Sequence, residues 1–344
     1  MIPTRLSNVA RGTALAAGLS TLLGTATVAH AQQGTFLAQN GLLVIEMESA
    51  PLVDDWEFST STPGFAGDGY FIWRGPDLFN QPGASGIFGF DFEIEEAGLW
   101  ILSLRNRHED PDATMENDVW IRMDDGPWIK VFSNMAGSVG AWTYESRFDF
   151  SSTQPMPQAS YQLSSGEHRI EFSGRSRNFK MDHLHLHRPG AAGATDPTSP
   201  ESPRRFGVPF CPADPNSSGA VSVMEAIGSP FVADDNVILT CRDLPQSIVG
   251  YFLAAPSRGP VVNPPGSVGS LCLGGGIGRY VGDVLGSGND GFVSLRIDVN
   301  AIPQPTGSVA AQAGDTWRFT FWHRDTSPSG PVSNFSRAME FLFE

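Results

Sequence analysis

The chain has 344 residues, only 17% of them charged, with 38 glycines and 26 prolines. That length leaves room for two domains of ordinary size, and the profile is of a turn-rich, β-rich extracellular chain rather than a helical cytosolic enzyme. The formal charge is -15, and about -17 without residues 1–31, which hold Arg5 and Arg11 but no acid. So acidic a surface argues against nucleic acid and anionic membranes, and suits neutral or cationic ligands or divalent cations.

In chain order, residues 1–31 read as a signal peptide. Arg5 and Arg11 precede the small, apolar run Ala14 to Val28, and Ala29-His30-Ala31 is an A-x-A cleavage signal. The run carries Ser20, Thr21, Thr25 and Thr27 and is too short to span a bilayer, as is every later stretch. Export and a mature start near Gln32 are expected.

GLLVIEMESA is the first expected strand, and Asp54 to Pro76 an expected loop region carrying Trp56, Tyr70, Phe71 and Trp73 among four glycines. IFGFDFEIEE alternates Phe88, Phe90, Phe92 and Ile94 with polar partners, the period of a half-buried strand. WILSLRNR sets Trp100, Leu102 and Leu104 against Ser103, Arg105 and Arg107, and DVWIRMD alternates again. Between these two lies the acidic loop HEDPDATMEND, and Asp124-Asp125-Gly126 supplies a tight reversal. TYESRFDF, YQLSS, HRIEFSG and FKMDHLHLH follow at regular spacing with no helical period. The expectation is an all-β fold, a β-sandwich or jelly roll over residues 41–188.

Arg188 to Arg205, RPGAAGATDPTSPESPRR, has the composition of a linker, assigned to 189–205. NVILT, VGYFLAA, GFVSLRIDV, WRFTFWHRD and AMEFLF then give a second all-β sandwich over 206–344. GGGIGR, from Gly274 to Arg279, lacks the following helix and Lys-Ser/Thr pair of a phosphate loop and reads as a hairpin. Cys211, Cys241 and Cys272 all lie in this part; export permits one disulfide and leaves one thiol over.

Four constellations carry chemistry. Glu46 and Glu48, two apart on one strand, put their carboxylates on one face about 7 Å apart. That pattern fits an exposed polar face, a calcium site, or the paired carboxylates of a glycosidase. His183, His185 and His187 share a face, which is either solvated or metal-binding. Asp182 shares the opposite face with Leu184 and Leu186, where a carboxylate needs a partner. Trp73 and Trp142 lie in Gly-rich loops, as sugar-stacking rings or as plugs at the end of the sandwich.

Taken in order, VIEMES, EAGLWILSLRNR, DVWIRMDDGPW, GAWTYES and SGEHRIEFSG…FKMDHLHL make residues 41–188 resemble the family 6 and family 35 carbohydrate-binding modules, jelly rolls of the galactose-binding-like superfold. The resemblance implies a structural calcium held by Glu46, Glu48 and Asp182 with loop carbonyls, and a glycan cleft using Trp73 and Trp142. The family's asparagine two residues before the late aspartate is replaced here by Lys180, with Asn178 nearby; a lysine suits an acidic sugar. CPADPNSSG, LPQSIVGYFL, GSLCLGGGIGRY, IPQPTGSVAAQAGDTWRFTFWHRD and SNF are similar to a domain near the C-termini of secreted bacterial proteins that has no assigned activity. That likeness implies a Cys211–Cys272 disulfide with Cys241 left over. The resulting expectation is a secreted, calcium-stabilised, non-catalytic protein that binds a polysaccharide or other glycan. The alternatives are a glycosidase or polysaccharide lyase working with carboxylates of the HEDPD loop, and a cell-envelope or adhesion protein.

Overall fold

The computed structural model describes residues 34–133, 139–150 and 155–344; the expected leader lies outside them. Apart from two short 3₁₀ turns, the regular elements among these residues are all β-strands, and no helix is long and apolar enough to cross a membrane. The first half comprises β1 (Thr35–Leu37), β2 (Leu42–Glu46), β3 (Trp56–Ser59), β4 (Tyr70–Trp73), β5 (Phe88–Ile94), β6 (Gly98–Arg107), β7 (Asp118–Met123), β8 (Ile129–Phe132), β9 (Arg147–Phe148), β10 (Ser160–Leu163), β11 (Gly166–Ser173) and β12 (Lys180–His187). One sheet runs β1-β5-β11-β7-β8-β9; the other runs β10-β6-β12-β4-β3, with β2 also paired to β12. Their facing side chains, Phe36, Phe90, Phe92 and Phe172 from one sheet and Trp73, Trp100, Leu102 and Leu184 from the other, form one core. Alternation placed Phe90, Phe92, Trp100 and Leu102 correctly because one face of each of their strands is buried, and a period of two then fixes which residues point inward.

The turn after β7 differs in detail from expectation. Asp124 and Asp125 both have positive φ, at 50° and 57°, and the Gly126 amide returns to the Met123 carbonyl at 2.8 Å. The two aspartates are therefore the central residues of the reversal, matching the twist of the flanking strands.

The rest of the chain packs around a second core at Phe206, Phe252, Phe319, Phe321 and Phe341 and a smaller one at Leu253, Ala255, Leu273 and Phe335. The two halves are joined by a strand. β13 (Arg204–Phe206) pairs antiparallel with β1 and with Val223–Gly228, so one ten-stranded sheet passes through both halves. The stretch expected as a Pro-rich linker carries no strand before Arg204, yet it is packed. Ser202 Oγ accepts from the Val44 amide at 3.0 Å, and Glu201 Oε1 accepts from the Glu46 amide at 3.1 Å. Arg204, 2% exposed, lies between the rings of Phe36 and Phe231 at 4.9 and 5.2 Å. Composition foretold the missing strand but not the contacts, because Pro, Ser and Gly remove side-chain bulk and let a backbone lie flat on a sheet.

GGGIGR is not a hairpin between neighbouring strands. Leu271–Gly274 pairs with Ser257–Val261, whereas Gly278–Arg279 pairs with Val249–Ala255. Cys211 and Cys272 are disulfide-bonded across 61 residues, and Cys241 is a buried free thiol. A loop of that length makes the bond worth about 2–4 kcal/mol through the unfolded chain. Cys272→Ser is expected to lower the denaturant midpoint accordingly, with a steeper slope because the released unfolded chain exposes more surface; an unaltered midpoint would count against that contribution.

Candidate functional site

The site grows from an irregularity in β12. Its register against β6 shifts between Met181 and Leu184, while both of those residues remain in the core. One extra residue therefore sits between them, and such a bulge re-aims side chains. Strict alternation put Asp182 on the core face beside Leu184 and Leu186. The bulge instead turns it, together with His183, to the outer face of the sheet. There it meets Arg105, an outward residue of β6, in an ion pair with the Arg105 Nη1. The Ala66 amide donates to the same carboxylate at 3.0 Å. Asp182 is fully buried, and Arg105 is the partner that burial of a carboxylate demands.

Arg105 holds more than Asp182. Its Nη2 donates to the Gly64 carbonyl at 2.7 Å. Its guanidinium carbon lies 5.3 Å from the Trp142 ring centroid and 6.0 Å from that of Tyr144.

Glu46 ends β2, and Met47–Ser49 is a 3₁₀ turn, so Glu48 is not the strand residue expected. Both carboxylates nevertheless gather against Gly67. A Cβ there would stand 2.5 Å from Glu48 Oε1 and 3.2 Å from Glu46 Oε2, at φ +57°, so glycine alone suits the position. Glu48 Oε1 accepts from the amides of Asp68 and Gly69 at 2.7 and 3.1 Å. Glu46 Oε2 and Glu48 Oε2 are buried without a hydrogen-bond partner. Burial first, then neighbouring carboxylates (Glu201 for Glu46, Glu46 for Glu48), pushes both acids up to about 7. Two uncommitted buried carboxylate oxygens suit a hard cation. Asp182 does not join them, because Arg105 and Ala66 engage it. Among the described residues, no three His, Cys, Asp or Glu side chains form a metal-binding group, so loop carbonyls or water would have to complete a shell.

The histidines do share the outer face, but it is covered. His183 and His185 are 0% exposed and His187 6%. The Tyr144 hydroxyl lies 2.5 Å from His183 Nε2, and Ala194 of the packed segment places its carbonyl 3.0 Å from His185 Nδ1. Burial drives His183 and His185 down to about 4, which keeps both rings neutral. They are neither a solvated row nor an open metal site.

Toward the loop end of the same face is a cleft of about 410 Å³. Ile72 of β4 and Lys180 of β12 line it, with Ser61 and Thr62 from one loop, Glu109, Asp110 and Glu116 from another, and Arg74 and Asn178. Lys180 Nζ lies 3.4 Å from Glu109, which also accepts from Arg107 Nε at 3.0 Å. Burial opposes ionisation of Glu109, but Lys180 and Arg107 outweigh it and hold the carboxyl below its usual range. A carboxylate fixed by two cations orients a ligand better than it donates a proton. Asn178, at φ 66°, accepts from Arg74 Nη1 at 2.8 Å and donates to Glu116 at 2.6 Å.

Of the expected ligand residues, Asn178 and Lys180 thus line one cleft. Trp142 lies nearby on the surface, half-buried, donating to the Pro63 carbonyl at 3.1 Å. Trp73 is a correction: it ends β4 with 0% exposure, in the core against Trp56. Its glycine-rich surroundings accommodate the ring rather than expose it. Sequence reasoning missed Arg74, Arg105, Glu116 and Tyr144. The polar places in WILSLRNR were the one signal for Arg105, since a buried carboxylate on a neighbouring strand calls for a cation.

No protein-family model matches the chain, and no curated protein matches it. Several solved structures do. A GH26-CBM35 β-(1,4)-mannanase of Podospora anserina is 17% identical with a TM-score of 0.32, covering 52% of this chain and 31% of its own. A family 35 carbohydrate-binding module of Clostridium thermocellum is 12% identical with a TM-score of 0.31, over 42% of this chain and 98% of its own. A cycloisomaltooligosaccharide glucanotransferase of Paenibacillus sp. is 13% identical with a TM-score of 0.32, over 90% of this chain and 46% of its own. This chain therefore spans less than a third of the mannanase.

Proposed function

We propose that this is an exported protein that binds a polysaccharide or other glycan in the cleft of Lys180 and Asn178, stabilised by calcium held at Glu46 and Glu48. The observation that carries the reading is the cleft itself. It is of ligand size, and amide, guanidinium, ammonium, carboxylate and hydroxyl groups converge in it from four segments. A sugar offers hydroxyls that both donate and accept, and fixed pairs such as Arg74–Asn178–Glu116 present both kinds of partner. Lys180 and Arg74 share the lining with Glu109, Asp110 and Glu116, and Lys180 is paired with Glu109, so the cleft suits neutral sugars better than uronic ones. The disulfide supports export, since such bonds persist in oxidising compartments. The cation's role is structural: it would neutralise two carboxylates that otherwise repel beside the loop at Gly67.

The test is a glycan array followed by affinity electrophoresis on neutral and uronic polysaccharides. Asn178→Gly tolerates the positive φ and removes both side-chain contacts. It is expected to weaken binding about tenfold, the worth of one or two hydrogen bonds, with a nearly unchanged melting temperature. A wild-type chain that binds no glycan, or a variant that binds equally well, would refute the reading.

A further inference from the structure

We propose that Arg105 is the positioning residue of this glycan site. It anchors residues 63–66 and Trp142 whether or not a divalent ion occupies Glu46 and Glu48. The proposal rests on the glycan-binding reading for its consequence, though not for its geometry.

A guanidinium is a rigid planar fork with five donors and two faces. Arg105 uses both features. Its edge serves Asp182 and the Gly64 carbonyl, and aromatic rings of Trp142 and Tyr144 stand within reach of its charge. Asp182 in turn takes the Ala66 amide, and Trp142 donates to the Pro63 carbonyl. Residues 63, 64 and 66 are thus each held, directly or through one partner, by a single side chain of β6. The Arg105 side chain is 10% exposed and Asp182 0%, so water offers little substitute for either. Ser61 and Thr62, which line the cleft, immediately precede the anchored stretch.

The loop's second anchor is separate. Glu48 Oε1 receives the amides of Asp68 and Gly69, on the far side of Gly67. A cation at Glu46 and Glu48 would bear directly on this second anchor, whereas it reaches Arg105 only through the charge of Glu46. Its removal therefore loosens residues 68–69 and leaves the cleft wall and Trp142 in place.

The full chain, as wild type and as Arg105→Lys, Arg105→Gln and Glu48→Gln, is compared in calcium chloride and in chelator. Amide-resolved hydrogen exchange is read at Ala66, Asp68 and Gly69, with adsorption to the polysaccharide selected by the array. Arg105→Lys keeps the charge but loses the fork. It is expected to speed Ala66 exchange at least tenfold and to weaken adsorption about tenfold, in calcium as in chelator. Chelation of the wild type is expected to speed exchange at Asp68 and Gly69 only, with adsorption within twofold, and Glu48→Gln is expected to speed exchange at the same two amides. The proposal is overturned if chelation speeds Ala66 exchange as much as Arg105→Lys does, or if that variant changes neither readout. Should the wild type adsorb to nothing, the glycan reading falls, while Ala66 exchange still decides whether Arg105 is the anchor. If Arg105→Gln does not fold, the lysine variant carries the comparison.

Discussion

Trp73→Ala is expected to lower the melting temperature by roughly 10 °C, the largest effect of any single substitution considered. The ring is fully buried and packs 5.2 Å from that of Trp56. Three glycines wrap it: a Cβ on Gly75, Gly86 or Gly174 would come within 2.2, 2.5 or 2.3 Å of its carbons. Those backbones cannot collapse into the vacated space without giving up their own pairings, so most of the cavity persists. Deleting a buried tryptophan costs about 3–5 kcal/mol under such conditions. The Pro76 carbonyl, 2.9 Å from Trp73 Nε1, also loses its donor. Trp142→Ala provides the contrast. That ring is half-buried, its indole hydrogen bond is exposed, and its contact with Arg105 is worth about 0.5–1 kcal/mol. Thermal melts should therefore separate the two tryptophans widely. Equal melting temperatures for Trp73→Ala and wild type would mean that the ring is not the core residue described here.

The contrast shows what sequence alone conveyed. Side chains that alternate on a half-buried strand announce their facing, which is why Phe88, Phe90, Phe92, Trp100, Leu102 and Leu104 were all placed in the core. Trp73 escaped because its strand, Tyr70–Trp73, is buried on both sides and has no alternation to read. Asp182 escaped for another reason. A bulge inserts one residue without a compositional mark, and it changes the face of everything on one side of it. The pair Asp182–Arg105 is separated by 77 residues, and only the register of β6 against β12 brings it together. The absence of any Lys or Arg within five residues of Glu46 or Glu48 is a feature of the chain. It did not bear on the fold, where Arg105 arrives from another strand and serves Asp182 instead. Glu46 and Glu48 kept their association because three residues of chain cannot separate them far. Lys180 and Asn178 were found through the resemblance. Arg74 and Glu116, which complete the cleft, come from loops whose course no local pattern fixes.

Calcium is expected to raise the melting temperature most strongly above neutral pH, and chelation to reverse the gain. Without a cation, Glu46 and Glu48 hold their protons up to about 7 in the folded protein, against about 4.3 in an unfolded chain. The folded state therefore binds the extra protons between these values. By linkage the stabilisation they represent is present below the lower value and is lost as pH rises through the upper one. His183 and His185 act in the opposite sense. Their folded values near 4 lie below the unfolded 6.5 or so, so their contribution is complete above the unfolded value and is lost as pH falls toward 4. Between about 4.5 and 6.5 the two acids and the two histidines offset one another, and the melting temperature without calcium should be nearly flat. Above that range only the glutamates still titrate, and stability should fall. A cation takes the place of their protons, so its effect grows as they ionise. It reaches on the order of 3–4 kcal/mol when calcium exceeds its dissociation constant several-hundred-fold. Glu48→Gln removes one of the repelling charges and one candidate ligand. It should roughly halve the decline above about pH 6.5, since burial and Glu201 still hold Glu46 up, and remove most of the response to calcium, whereas Asp182→Ala should destabilise through Arg105 and leave the calcium response intact. Melting curves from pH 5 to pH 8, with calcium and with chelator, decide the matter; a curve indifferent to both ion and chelator at pH 8 leaves Glu46 and Glu48 with no cation to hold.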